Sequence, residues 1–356
     1  MRLPEIKPIQ THWLEAAWAR QNRLTKPPRS LAYLEELAVR LAAIGQSLHP
    51  ELGKGAVIVC AADHGVSAEG VSAYPSEVTA QMVRNFLRGG AAINQIAQVA
   101  QAEVWVLDVG VRAEFEEHPR LIGAKVRPGT GNIALEAAMT PAQAEAALQA
   151  GMGAARRAIQ EGATLLAAGD MGIGNTTAAS ALTAAILGLP AEAVTGRGTG
   201  VDESRYRHKV QVVERALRRA ERRLGELTQA DPLALLAELG GLEIAAIAGV
   251  FLAGAEAGLP LVTDGFPVTA GALVASRLAP SLQGYLFAGH RSAEPGHTRQ
   301  LEALGLKPVL ELGLRLGEGT GAVLAFPILR SAARVLAGMA TFEEAGVAQA
   351  TAVERG

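Results

Sequence analysis

A chain of 356 residues, 49% of them hydrophobic, has the apolar material for one large α/β domain or two unequal ones. A formal net charge of −2 excludes the basic footprint of a nucleic-acid binder, and a single cysteine, Cys60, excludes a disulfide within the chain. Gly and Ala are abundant and aromatics are 4%, which suits close helix–sheet packing and backbone-lined ligand sites more than a β-sandwich core. The N-terminal MRLPEIKPIQ carries no apolar signal region, and the longest uncharged apolar run, residues 244–255, is too short to span a bilayer. The expectation is a soluble, cytoplasmic protein without a membrane partner.

In chain order, residues from about Thr11 to Ala43 read as two helices split by TKPPRS, where Pro27 and Pro28 enforce the break. They precede the first strand signal and predict a helical subdomain. GAVIVCAADHG is the first apolar run and ends in Asp63 and His64; a helix from Ser76 to Val99 is expected next, with Ser76 as its cap. VWVLDVG ends in Asp108. Thr140-Pro141-Ala142-Gln143 is a capping box with proline at the first helical position, so a helix should reach about Gln160. TLLAAGDMG ends in Asp170, with a helix from about Thr176 to Leu187 and a long polar helix from Glu203 to Glu226. An apolar helix then leads into LPLVTDG, ending in Asp264, and GYLFAGH ends at His290. Continuous apolar runs alternating with helices predict an α/β fold around a parallel sheet buried on both faces.

Four of these five runs end in aspartate with glycine close behind, and ligands bind at the carboxyl ends of strands in open parallel sheets. Asp63, Asp108, Asp170 and Asp264 therefore either converge on a cationic ligand or each shape a turn. GDMGIGNTT follows a strand and opens a helix. Gly172 and Gly174 with Asn175, Thr176 and Thr177 make a phosphate cradle at a helix N-terminus. GRGTGVDESRYRHK adds a glycine loop around Gly198, with Lys209 either a phosphate partner or a solvated lysine. In RLGEGTGA one carboxylate, Glu318, stands between Gly317 and Gly319 ahead of an apolar run, AVLAFPILRSAARVLAGM, that reads as a helix. It is equally a helix cap or a catalytic acid or base. The triplet GTG recurs at positions 129–131, 198–200 and 319–321, always in predicted loops. His64 and His290 end strands and either line the site or sit satisfied in the core; no metal-ligand spacing stands out.

Taken together, KPPRSL (Lys26 to Leu31), ADHGV, GDMGIGNTT, the GRGTG loop with Lys209, TDGF and RLGEGTGA resemble the nicotinate-nucleotide:dimethylbenzimidazole phosphoribosyltransferase family, in register from about residue 24 to 330. The resemblance implies a Rossmann-like, mostly parallel sheet flanked by helices in residues 51–330. It implies a small helical domain from residues 1–50 and about 330–356, and a homodimer. It implies transfer of the 5-phosphoribosyl group of nicotinate mononucleotide to 5,6-dimethylbenzimidazole, with inversion, no cofactor, and Glu318 as general base. Asp170 aligns with an acid near the ribose. Gly172, Gly174, Asn175, Thr176, Thr177, Gly198, Lys209, Gly317 and Gly319 align with nucleotide-binding parts, and Tyr74, Met82, Leu316 and Ser292 with the base pocket. Asp170 stands where the family often has Glu, and Arg29 where it commonly has Gly. Tyr74 and Met82 depart from some relatives, which leaves the accepted base open among dimethylbenzimidazole, another benzimidazole and adenine. Two other classes fit the glycine loops: a nicotinamide-dinucleotide oxidoreductase, and a non-catalytic nucleotide-binding or corrinoid-handling scaffold.

Overall fold

The computed structural model describes residues 3–198, 200 and 202–348; Thr199 of the second GTG triplet and the last residues of the expected C-terminal helical segment lie outside them. The elements run α1 (Thr11–Gln21), α2 (Tyr33–Gly45), β1 (Gly55–Ala62), α3 (Glu77–Leu87), α4 (Ala92–Val99), β2 (Ala102–Gly110), β3 (Leu121–Gly123) and α5 (Pro141–Gln160). They continue β4 (Leu165–Met171), α6 (Asn175–Leu187), α7 (Ala191–Val194), α8 (Glu203–Leu224), α9 (Pro232–Leu239), α10 (Leu242–Glu256), β5 (Leu261–Thr263) and α11 (Phe266–Leu278). The chain ends with β6 (Leu286–His290), α12 (Pro295–Ala303), β7 (Pro308–Leu310), α13 (Thr320–Leu324), α14 (Phe326–Gly338) and α15 (Phe342–Ala345).

The seven strands form one sheet in the order β3-β2-β1-β4-β5-β6-β7, and every neighbouring pair is parallel. This is the Rossmann-like sheet that the apolar runs predict. Strand order reverses between β1 and β4, where connections leave in opposite directions and open a crevice above the strand ends. Asp170 of β4 lies beside Cys60 of β1 in that register. Every residue of β1 is buried, so the continuous run GAVIVCAA needs no alternation. Helices α5 and α10 pack backbone to backbone through two glycines. A Cβ added at Gly151 would lie 1.8 Å from the Ala246 carbonyl oxygen, and one at Gly249 2.0 Å from that of Leu148.

Local outcomes differ from the sequence expectation in four places. Strands β3 and β7 are three-residue edge strands, partly exposed, too short to leave an apolar run. The helix expected from Ser76 to Val99 is two helices, because Gly89 turns the chain with φ +76. Ser76 itself has helical dihedrals and makes no side-chain cap. The run after Glu318 breaks at Ala325, where Pro327 has no N–H to continue α13 into α14.

The chain divides into two compact units, one of residues up to Lys7 with Gly53–Phe326, the other of Pro8–Leu52 with the chain from Pro327 onward. The second unit joins α1 and α2 to the last helices of the chain. Leu24 bridges Thr341 antiparallel, and the Arg20 guanidinium donates to the Leu336 carbonyl at 2.6 Å. Within its KPPRSL turn the Lys26 ammonium donates to buried Glu35 at 2.8 Å. Arg29 sits at φ +63, a left-handed conformation that explains why glycine suits this position; here its guanidinium stacks 3.5 Å from the Trp18 ring centre.

Gly249 offers a test in which the sign decides. Alanine for glycine inside a helix ordinarily stabilises by about 1 kcal/mol. Here the Leu148 carbonyl occupies the added methyl's place, so Gly249→Ala should destabilise by roughly 1–3 kcal/mol, read as a lowered urea midpoint at unchanged m.

Candidate active site

The cleft lies at the carboxyl ends of β4, β5 and β6. Its floor is the turn from β4 into α6, where Asn175 N donates to the Gly172 carbonyl at 3.1 Å and Ile173 N to the Thr79 hydroxyl at 3.1 Å. Gly172, Gly174, Asn175 and Thr176 line it, and Thr177 N, one turn further, donates to the Gly174 carbonyl at 3.0 Å. Lys209 enters from α8. Its ammonium is buried and donates to the Thr176 hydroxyl at 2.8 Å and the Gly196 carbonyl at 3.1 Å. Glu294 accepts from Gly198 N at 2.9 Å and so holds the glycine loop beside that lysine. Arg197 and Arg315 complete a cationic end suited to a phosphate. Burial lowers the Lys209 ammonium to about 8, against the opposing pull of Glu294.

The other end of the cleft is acidic. Asp170, 7% exposed, accepts from the Asn175 amide at 2.7 Å through Oδ2, while Oδ1 has no protein partner and faces Gly317. Burial pushes its carboxyl well above the ordinary range; Asp264, Glu243 and Glu318 add to this, and Asn175 opposes it. Glu318 is the next acid, 5% exposed, in a run of three left-handed residues with φ +87, +65 and +88 at Gly317, Glu318 and Gly319. For glutamate that conformation costs on the order of 1 kcal/mol. The surroundings impose it. Asp264 accepts from Gly319 N at 3.0 Å and Ala322 N at 2.9 Å. Gly169 of β4 lies against the Glu318 carbonyl, where a Cβ would come within 2.3 Å. The Glu318 carboxylate accepts from Ile93 N at 3.3 Å, at the start of α4. Burial raises Glu318 above its ordinary value, Asp264 adds to the rise, and the Ile93 N–H opposes it.

Of the residues singled out from sequence, Asp170, Gly172, Gly174, Asn175, Thr176, Gly198, Lys209, His290, Ser292, Leu316 and Gly317 line the one cleft. Glu318 adjoins it through Gly317. It does not cap the helix that follows, whose N-cap is Gly319; its carboxylate meets α4 instead. Thr177 is buried within α6, and Gly319 packs on Val57 and Gly169, so neither faces the cleft. The convergence of four aspartates reduces to one. Asp63 accepts from Arg112 N at 2.8 Å, Asp108 from Gly110 N and Val111 N, and Asp264 clamps the Glu318 loop. These three satisfy backbone N–H groups that turns leave unpaired. Tyr74 is 52% exposed and Met82 half-buried on α3, and neither lines this cleft. Sequence reading gave no role to Phe266, which opens α11, to Glu294, which precedes α12, or to Glu243, a lone acid opening an apolar helix. Among the described residues no group of three or more His, Cys, Asp or Glu is placed to hold a metal ion.

A family described as phosphoribosyltransferase matches residues 6–347, nearly the whole chain. The chain belongs to the nicotinate-nucleotide–dimethylbenzimidazole phosphoribosyltransferase family. A relative bearing that name from Thermus thermophilus is 67% identical over 330 residues, covering 93% of this chain and 96% of the relative. Another from Chloroflexus aggregans is 51% identical over 344 residues, covering 97% of this chain and 96% of the relative. The crystal structure of CobT from Thermus thermophilus superposes with a TM-score of 0.92 at 65% identity, covering 95% of this chain and all of that one.

A buried lysine at about 8 predicts a titration in ligand affinity. The charged form grips an anion, so sulfate, which does not itself titrate here, should bind more weakly as pH rises through that value. Calorimetric titrations across about pH 6.5 to 9.5 should give this trend, and Lys209→Met should weaken binding and flatten it.

Proposed function

We propose that this chain transfers the 5-phosphoribosyl group of nicotinate mononucleotide to 5,6-dimethylbenzimidazole, giving α-ribazole 5′-phosphate and nicotinate with inversion at the anomeric carbon, and works as a homodimer. The relatives' names supply the substrates. The observation that carries the mechanism is the pairing of Asp170 with Glu318, two buried acids of raised pKa at one edge of a cleft whose other end is cationic.

In this reading the phosphate rests at the N-terminus of α6, beside Thr176, and on Lys209. The sugar then lies beside Asp170, and the two flat rings lie on either side of C1′. The pyridinium nitrogen takes the electron pair of the breaking glycosidic bond and nicotinate leaves with its pyridine ring uncharged, so the leaving group needs no acid. Asp170 faces the positive charge that develops on the ribose. A benzimidazole nitrogen forms the new bond from the opposite face, and the proton on its second nitrogen passes to Glu318. The Ile93 N–H engages one carboxylate oxygen and fixes its direction. A raised pKa makes Glu318 a stronger base than an exposed glutamate, provided the pH keeps it ionised. The dinucleotide-oxidoreductase reading fares worse: the glycine turn follows β4 rather than β1, and its third glycine position is the buried Thr177.

Nicotinate release from nicotinate mononucleotide, measured with and without dimethylbenzimidazole, tests the assignment: release should require the base. Binding without release would fit a non-catalytic scaffold instead. Glu318→Gln should fold normally and lose roughly 10²–10⁴-fold in kcat. Because the base must be ionised and its pKa is raised, wild-type kcat should fall on the acid side at a pH above the ordinary glutamate value of about 4.3. That limb should vanish from the residual activity of Glu318→Gln; an unchanged limb would assign it to another group. Light scattering during gel filtration should give the mass of two chains, and a monomer would overturn the dimer.

A further inference from the structure

Behind the phosphate cradle lies a polar pair that the reaction just described does not use. His64 follows β1 and Glu243 opens α10, and both side chains are fully buried. His64 Nε2 and Glu243 Oε1 are 2.7 Å apart. The remaining polar atoms of the pair, His64 Nδ1 and Glu243 Oε2, have no protein partner. Each group is therefore anchored by the other alone. A buried polar pair of this kind is a weak source of stability, since taking its groups out of water costs about as much as their attraction returns.

The surroundings of the ring point to what it does. A Cβ at Gly172 would lie 3.2 Å from His64 Cδ2 and 3.3 Å from Nε2, and one at Gly241 2.6 Å from Cε1. At Gly174 a Cβ would be 3.2 Å from that of His64. The imidazole is thus wedged between the cradle and the start of α10, with no side chain on either glycine to separate them. Its edge is the surface on which the Gly172–Gly174 turn rests, at the boundary of β1 and β4.

We infer that His64 and Glu243 form a positioning pair that sets the height of the Gly172–Gly174 turn, and through it the grip on the phosphoribosyl end of the nucleotide. This rests on the phosphoribosyl-transfer reading above. The pair touches no reacting atom. Glu243 fixes the ring's rotation through Nε2, the ring fixes the turn, and the turn sets the start of α6, where the Thr176 hydroxyl meets the Lys209 ammonium. The effect should therefore fall on one substrate only.

Steady-state kinetics with both substrates varied test this. His64→Ala should raise KM for nicotinate mononucleotide about tenfold or more, with KM for dimethylbenzimidazole within about twofold of wild type and kcat reduced less than the nucleotide KM rises. His64→Gln, whose amide can still donate to Glu243, should recover most of that loss. A generally destabilised protein would move both KM values together and would gain nothing from glutamine. If His64→Ala does not fold, His64→Leu combined with Glu243→Met, which buries no unpaired charge, replaces it with the same expectation. An active wild type together with an unchanged nucleotide KM in the folded variant would overturn the positioning role. A wild type that releases no nicotinate with any benzimidazole would overturn the function itself.

Discussion

The site depends on two hydrogen bonds that Asp264 accepts. Its carboxylate receives Gly319 N and Ala322 N, pulling the start of α13 onto the ends of β4 and β6. Glycines make that approach possible: a Cβ at Gly289 would come within 2.5 Å of Ala322 Cα, and one at Gly321 within 2.0 Å of the His290 ring. With the loop held so closely, Glu318 has little freedom left and takes a left-handed backbone that glutamate would otherwise avoid. The position of the carboxylate is thus set by an acid that never faces the cleft.

The acids of this edge also set one another's ionisation. Asp170, Asp264, Glu243 and Glu318 share a small buried region, and Asp170 feels the other three. Crowding of like charge favours proton uptake, and it also favours a cation among them. A pyridinium nucleotide supplies such a cation in the ground state, and its ribose becomes more positive as the glycosidic bond loosens. In the proposed reaction, the same crowding that raises these carboxyls would meet the charge that grows on the ribose. At the opposite end burial works the other way, weakening the charge on Lys209 until an anion restores it.

Much of the fold was legible because its strands are buried on both faces and leave unbroken apolar runs. β1 is buried throughout and unmistakable; β3 and β7 are three-residue edges with no such signature. The cradle was legible too, since Gly172, Gly174, Asn175 and Thr176 are consecutive or nearly so and their chemistry is local. The aspartates were not. Their repetition after strands suggested a shared ligand, yet Asp264 answers to N–H groups about Gly319, and Glu318 to Ile93, separated in sequence by 55 and 225 residues. His64 shows the same limit: its burial is readable from its place at the end of an apolar strand, while its partner, Glu243, lies 179 residues on. Pairing across such separations is decided by topology, and no local spacing encodes it.

The bridge between Leu24 and Thr341 has a consequence for how the chain is made. The unit containing α1 and α2 takes its remaining helices from residues beyond Pro327. During synthesis those first helices emerge early and wait, with their inward faces uncovered, while the whole of the sheet-bearing unit is translated between them and their partners. Contacts of such long sequence separation are slow to close, because the loop they shut is nearly the entire chain. The helical unit is therefore the last part that can be completed on the ribosome, though its α1 and α2 precede every strand.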